Sequence, residues 1–328
     1  MSNPNAKRFY ETVQATQEPI LIVCHISPDG DCIGAALAVA HFLEGVSKNF
    51  VLVNDDPIPS RYDFLPGVDK FVQTAEVTQR YTTIIAVDCA DAKRLGQTWN
   101  LFADDYTLIN IDHHETNNGF GHVNIVEKEA SATCLVLYRL FHALGIPMGK
   151  PLAYCLYTGI VFDTGGFRYN NTTPEVHTAA ADLLKRDIEP FLVADRVLES
   201  MTRQQAELVR LGLATLTVDD SGLIAYLVVD YDTLLRSGAQ EGDTEVLLPY
   251  TRSLSGVEVG ILFRQTSTGV MKVSLRSRER VDVAEIALHF GGGGHVRASG
   301  CSIALPVDEA VDAMLNVVRA SVRKAFSL

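Results

Sequence analysis

Four apolar runs of strand length punctuate the first third of the chain: PILIVCH (19–25), FVLVN (50–54), TTIIAVD (82–88) and TLINID (107–112). None alternates with polar residues, which is the pattern of strands buried on both faces of a sheet. Stretches long enough for helices or wide connections separate them, so the runs predict a mostly parallel sheet flanked by helices, an α/β arrangement. Residues 5–16 read as a short amphipathic helix, and the turn ISPDGD leads into CIGAALAVAHFLEG, helical in length and composition. From residue 131 the period is helical: SATCLVLYRLFHALG, PLAYCLYTGIVFDTGG and TPEVHTAAADLLKRD are followed by helices near 190–199 and 202–213.

Beyond residue 213 the pattern changes. LIAYLVVD, VEVGILFRQT, GVMKVSLRSR and GCSIAL read as strands, with helices near 231–236, 282–289 and 308–325. This predicts a second, smaller α/β domain on a more antiparallel, mixed sheet. The expected division is a first domain over 1–195, a helical connection over 196–213 and a second domain over 214–328. A length of 328 residues suits two domains of ~100–200 residues each.

Composition narrows the setting. An apolar fraction of 47% and a charged fraction of 21% are those of an ordinary globular protein. No apolar stretch reaches the ~18 residues needed to span a bilayer, and the opening MSNPNAKRFYETVQATQEP lacks the basic and apolar regions of a signal peptide. The expectation is a cytoplasmic protein without a membrane partner. Six scattered cysteines with no C-x-x-C pair fit reduced, buried thiols. The formal charge of −12 argues against a protein that coats long duplex nucleic acid. Small phosphorylated ligands remain compatible with it, because carboxylates that bind divalent cations are neutralised and a few arginines then hold phosphate.

The candidate chemistry sits at the ends of the apolar runs. The first ends in His25 and continues through Asp29 and Asp31, the third ends in Asp88, and the fourth ends in Asp112, His113 and His114. Asp31 alone reads equally well as a helix N-cap, and an isolated Asp88 as a loop cap. Three parallel strands that all end in His or Asp place those groups along one edge of the sheet. A fourth source is helical: Leu152, Cys155, Leu156, Gly159 and Ile160 form one stripe that Asp163 continues. An acid on a buried stripe is costly unless it is paired or binds metal. His25, Asp29, Asp31, Asp88, His113 and Asp163 form a mixed nitrogen and oxygen donor set without thiolate, which suits Mn²⁺, with Mg²⁺, Fe²⁺ or Co²⁺ as competitors. Six donors suit two ions that share a bridging carboxylate better than one ion with an open position.

HISPDGDCIGA, VDCAD, DHH and GIVFDTGGFRY, in that order, resemble the four motifs of the DHH/DHHA1 phosphoesterase family, and FGGGGHVRASGCS (290–302) resembles its C-terminal signature. That family includes RecJ-type exonucleases and is related to family II inorganic pyrophosphatases and exopolyphosphatases. The likeness covers nearly the whole chain and is greatest to the stand-alone bacterial nanoRNase and pAp phosphatase branch. One departure is a run of four glycines where three before the histidine are typical. The resemblance implies an N-terminal DHH catalytic domain and a C-terminal DHHA1 substrate-binding domain. It implies two Mn²⁺ per chain, one held by His25, Asp29 and Asp88 and the other by Asp31, Asp88, His113 and Asp163, with Asp88 bridging. His114 then faces the scissile phosphate, and Asp112 orients the neighbouring imidazoles.

In the second domain, Gly291 to Gly294 allow the backbone to curl so that N–H groups converge on an anion, with His295 adding a donor; a plain glycine turn is the competing reading. Lys272, Ser274 and Arg276 share one face of their strand. The resemblance implies that Arg276, Ser277, Gly293, Gly294 and His295 bind the end of the substrate across the cleft between the domains. The expected reaction is hydrolysis of RNA oligomers a few nucleotides long to mononucleotides, together with removal of the 3′-phosphate of pAp, by a chain that is plausible as a homodimer. A cyclic di-AMP or pApA phosphodiesterase is the alternative. A non-catalytic nucleotide-binding regulator is disfavoured by the complete donor set.

Overall fold

The computed structural model describes residues 4–327, and the chain divides into two compact units after Ser200. The first unit runs α1 (Pro4–Ala15), β1 (Ile20–Val23), α2 (Gly30–Gly45), β2 (Phe50–Asn54), β3 (Phe71–Gln73), β4 (Tyr81–Val87), β5 (Phe102–Asp112), β6 (Val123–Val126), α3 (Thr133–Ala143), α4 (Lys150–Asp163), α5 (Pro174–Leu184) and α6 (Pro190–Ala194). Its six strands lie in the order β3-β2-β1-β4-β5-β6, and every pairing is parallel. The chain fills one side of β1 first and then the other, so the order in which strands are added reverses between β1 and β4. That reversal is where an open α/β sheet leaves a crevice at its carboxyl edge.

The continuous apolar character of the runs has the expected cause. Along β1, Ile20 and Ile22 join the core under the helices, while Leu21 and Val23 join a second cluster with Ile84, Leu95, Phe102 and Leu108 on the other face. Each such buried aliphatic side chain contributes roughly 1.5–3 kcal/mol relative to exposure. α2 is apolar around its whole circumference because it lies inside that core, directly against α4 and α3. Gly159 on α4 permits this approach: a Cβ there would lie 2.3 Å from Cys134 Sγ and 2.4 Å from Asp31 Oδ1.

The four strands expected in this unit are present, and two short edge strands, β3 and β6, join them. Three or four residues of mixed polarity give too little pattern to read. β5 also starts at Phe102 rather than residue 107, through a segment in which Asp104 and Asp105 are exposed. All six cysteines are buried free thiols. Among the described residues no helix is long and apolar enough to cross a membrane.

The second unit runs α7 (Arg203–Leu213), β7 (Thr217–Val218), β8 (Ile224–Val229), α8 (Tyr231–Ser237), α9 (Leu248–Arg252), β9 (Val259–Gln265), β10 (Met271–Ser277), α10 (Val283–His289), β11 (Gly293–His295), β12 (Ala298–Ile303) and α11 (Val307–Phe326). Its sheet, ordered β11-β12-β10-β9-β8-β7, is antiparallel except between β8 and β9, so the mixed character is as read from sequence. Ile261, Phe263, Val273 and Leu275 face Met314 and Val318 of α11, whereas Leu227, Val229 and Leu262 face Leu208 of α7 and Leu234 of α8. α7, which reads from sequence as a connection, therefore packs as part of this unit.

Candidate metal centre

The register brings the strand-end groups level. Val23 pairs with Ala86 and Ala86 with Asn110, so His25, Asp88 and Asp112, each two residues further on, arrive side by side at the sheet edge. Asp88 has a left-handed backbone, φ +58°, and its N–H donates to the Ile111 carbonyl at 2.9 Å. Strained backbone of this kind concentrates at functional sites, and aspartate tolerates it better than most residues. The loop after β1 is fixed by its neighbours: Ile26 N–H donates to the Arg94 carbonyl at 2.8 Å and Ser27 N–H to Asp56 Oδ2 at 2.6 Å.

All six expected donors converge. Ligand atoms of His25, Asp29 and Asp88 lie within 4.8 Å of one another, as do those of Asp31, His113 and Asp163, and those of Asp88, His113 and His114. Asp88 faces both sides of the cluster. Its Oδ2 is 3.4 Å from His25 Nε2, and its Oδ1 is 3.7 Å from His113 Nε2 and 3.7 Å from His114 Nδ1. His113 Nε2 is 3.1 Å from Asp163 Oδ2, and His25 Nε2 is 3.5 Å from Asp29 Oδ2. The two imidazoles that point Nε2 inward have their other nitrogen committed: His25 Nδ1 donates to the Ile26 carbonyl at 2.8 Å and His113 Nδ1 to the Ala130 carbonyl at 3.1 Å. Metal-binding histidines are oriented by such bonds.

Asp112 is buried and takes a different place. Its Oδ1 accepts from His114 Nδ1 at 2.7 Å, and its Oδ2 accepts from Asn117 Nδ2 at 2.6 Å. Asn117 also reaches Asn110 Oδ1 at 2.8 Å and the Cys89 carbonyl at 3.1 Å, tying the tips of β4 and β5 together. Asn117 and Thr133 are the site residues that the sequence reading omits. Thr133 donates its hydroxyl to Asp88 Oδ1 at 2.8 Å and its N–H to Asp31 Oδ2 at 2.5 Å, while Cys134 N–H reaches Asp31 Oδ1 at 2.9 Å. In sequence, a threonine opening a helix and an asparagine in a Thr-Asn-Asn-Gly turn look like ordinary cap and turn residues.

The electrostatics fit a cation-binding centre. Asp31 and Asp88 are buried and Asp163 is half-buried, and among the described residues no lysine or arginine pairs with any of them. Burial, reinforced by Asp88, raises the Asp31 carboxyl well above its ordinary range, and burial pushes Asp163 up to about 6 with Asp88 and Asp29 adding to it. Burial opposes a charge on His113, yet Asp163, Asp88 and Asp31 outweigh it and push the imidazole up to about 11. Burial likewise opposes ionisation of Asp88, and the bond from His25 with the nearby His114 and His113 holds it below its ordinary range. The cluster demands positive charge, and its carboxylate and imidazole donors are those that bind divalent cations through oxygen and nitrogen.

The glycine segment of the second unit departs from the curled anion cradle. Gly291, at φ +71°, ends α10: its N–H donates to the Leu288 carbonyl at 3.0 Å, and that of Gly292 to the Ala287 carbonyl at 2.9 Å. This Schellman arrangement uses two of the four N–H groups that the cradle would need. Gly293, Gly294 and His295 then form the exposed edge strand β11. His295 and Arg276 both pair with Ala298 of β12, one from each side, so they occupy one rung and one face of the sheet. Ser277, the next residue, turns to the opposite face, where it is buried and its hydroxyl reaches the Val296 carbonyl at 3.4 Å.

A parallel α/β sheet with an aspartate and histidine centre at its switch point, followed by a separate mixed-sheet unit, defines a two-domain class of protein. The chain belongs to the DHH family: the model for the DHH family N-terminal domain matches residues 19–160 and that for the DHHA1 domain matches residues 219–324. It is 35% identical over 317 residues to the bifunctional oligoribonuclease and PAP phosphatase NrnA of Thermus thermophilus, covering 96% of this chain and 94% of that one. It is 26% identical over 289 residues to the probable bifunctional oligoribonuclease and PAP phosphatase NrnA of Streptococcus mutans, covering 87% and 89% respectively. In fold it is similar to an exopolyphosphatase-related protein from Bacteroides fragilis, with a TM-score of 0.89, 25% identity and 96% of each chain covered.

Proposed function

We propose that this chain is a divalent-cation-dependent phosphoesterase that hydrolyses short RNA oligonucleotides to mononucleotides and removes the 3′-phosphate of pAp. The relatives named above, matched along nearly their whole length, support the substrate class. The single observation that carries the reading is Asp88, with one carboxylate oxygen turned to His25 and the other to His113 and His114. We assign His25, Asp29 and Asp88 to one cation and Asp31, Asp88, His113 and Asp163 to the other, with Mn²⁺ the first candidate. When bound, the cations supply Lewis acidity to the phosphoryl oxygens and to the attacking water.

The chain's own residues do the rest. Asp88, Asp31 and Asp163 would hold the cations that offset the charge of the phosphate, and water attacks phosphorus in line with the departing ribose 3′ oxygen. The P–O bond to the water forms as the P–O3′ bond breaks; the attacking water gives up one proton and the departing ribose oxygen takes one up, so that a phosphate and a free 3′ hydroxyl result. His114, held by Asp112, presents positive charge to the phosphoryl oxygens as negative charge grows there. Residues 1–200 form the catalytic unit and 201–328 the substrate-binding unit, in which Arg276, Gly293, Gly294 and His295 engage the end of the nucleotide, while Ser277, buried on the opposite face of the sheet, does not join them. The rung shared by Arg276 and His295 supports that role.

The test is a comparison of kcat/KM with Mn²⁺ for pAp, pApA, cyclic di-AMP and RNA oligomers of increasing length. The expected result is preference for pAp and the shortest RNA. Preference for cyclic di-AMP or pApA moves the assignment to a dinucleotide phosphodiesterase, and no hydrolysis of any substrate overturns it.

A further inference from the structure

Thr133 is where the two halves of the centre meet. It is fully buried at the first turn of α3 and bonded to two carboxylates that come from far away in sequence, Asp31 at the start of α2 and Asp88 at the end of β4. A threonine at a helix start ordinarily caps its own helix by accepting an N–H from the next turn. Here the N-cap is Ala132, with no side-chain cap, and the Thr133 hydroxyl instead donates across to Asp88 Oδ1. The bond supplies something the backbone cannot. The backbone fixes where the Asp88 carboxylate starts, but its final torsion is broad and roughly two-fold. A carboxylate that turns one oxygen to each of two donor groups works over a narrow range of that torsion. The stiff side chain of a β-branched residue, anchored through its own N–H to Asp31, is a rigid means of selecting it.

We propose that Thr133 is a positioning residue that sets the rotation of the Asp88 carboxylate so that one oxygen serves each cation, and thereby couples the two cation sites. Each carboxylate oxygen offers about two lone-pair directions, so an oxygen that accepts one hydrogen bond keeps another for a cation. Thr133 and Cys134 take one direction on each oxygen of Asp31, and Thr133 takes one on Asp88 Oδ1. The remaining directions are then fixed before any cation arrives. This inference rests on the two-cation reading of the centre.

The test is Mn²⁺ titration of the full chain by calorimetry, with free Mn²⁺ followed by electron paramagnetic resonance, for the unaltered protein, Thr133→Val and Thr133→Ser. Valine keeps the shape without the hydroxyl, and serine keeps the hydroxyl without the methyl group. The unaltered protein is expected to bind two equivalents. Thr133→Val is expected to lose about 10- to 100-fold in affinity at both equivalents, and Thr133→Ser to recover most of that loss. Thermal melts of the cation-free proteins show whether each variant is folded, and Thr133→Ala replaces the valine variant if that one is not. Equal affinities in the unaltered and valine proteins overturn the inference alone, as does a folded serine variant that binds no better than valine. Absence of Mn²⁺ binding by the unaltered protein overturns the phosphoesterase reading and this inference with it.

Discussion

In the N-terminal unit the candidate chemistry hangs on buried side chains that other side chains brace, Asp88 by Thr133 and Asp112 by Asn117. The glycine segment of the C-terminal unit offers exposed positions whose place is set by backbone shape, a helix stop followed by an edge strand. Bracing with charged and polar side chains makes a centre in which every member is costly to lose, because a removed partner leaves a buried polar group unsatisfied. A backbone-defined edge resists a Cβ where the space is filled, as at Gly292 and Gly294, or where the backbone is left-handed, as at Gly291, and accepts one elsewhere, as at Gly293. Replacement of single residues therefore has different consequences in the two places.

The largest expected effect is that of Asp88→Ala, which removes the group common to both donor sets. Mn²⁺-dependent kcat on pAp should fall at least about a thousandfold while the circular dichroism spectrum is kept; retained turnover breaks the assignment of Asp88. Next comes Asn117→Ala, which frees Asp112 and through it the His114 ring. A drop in kcat of about 10- to 100-fold with KM and Mn²⁺ stoichiometry unchanged is expected, and a drop in Mn²⁺ content instead places Asn117 with the ligands' support. Gly159→Ala drives a methyl group against Cys134 and Asp31. Thermal unfolding should reveal a loss of about 1–3 kcal/mol, with weakened Mn²⁺ binding. The smallest effect is that of Gly291→Ala, where a side chain at φ +71° should cost about 1 kcal/mol. Mn²⁺ binding should be untouched, and a change in it means that the glycine segment and the metal centre are energetically linked.

The strands and most of the donors are legible in sequence for one physical reason. Strands buried on both faces must be apolar along their length, so a histidine or aspartate that ends such a run stands out, as His25, Asp88 and Asp112 do. The strand order is not legible. Nothing in the runs says that β1 lies beside β4, and that adjacency is what sets His25 next to Asp88. Thr133 and Asn117 escape for the reason that their residue types do commoner work at helix starts and turns. The four glycines leave two readings open in sequence, a curled cradle and a plain glycine turn. Their composition permits a curled cradle, but permission is not conformation: the preceding helix needs an ending, and Gly291 and Gly292 provide it.

Asp29 has a double occupation. Its Oδ1 accepts the N–H groups of Asp31 and Cys32, both at 3.1 Å, and so caps α2, while its Oδ2 faces His25. One carboxylate thus belongs both to a helix and to a donor set, and the two equilibria are linked through it. Whatever binds the free oxygen suppresses fraying of the first turn of α2 and slows amide exchange there, and by reciprocity whatever frays that turn weakens binding. The helix start is a built-in gauge of occupancy, readable from backbone amides without following the reaction.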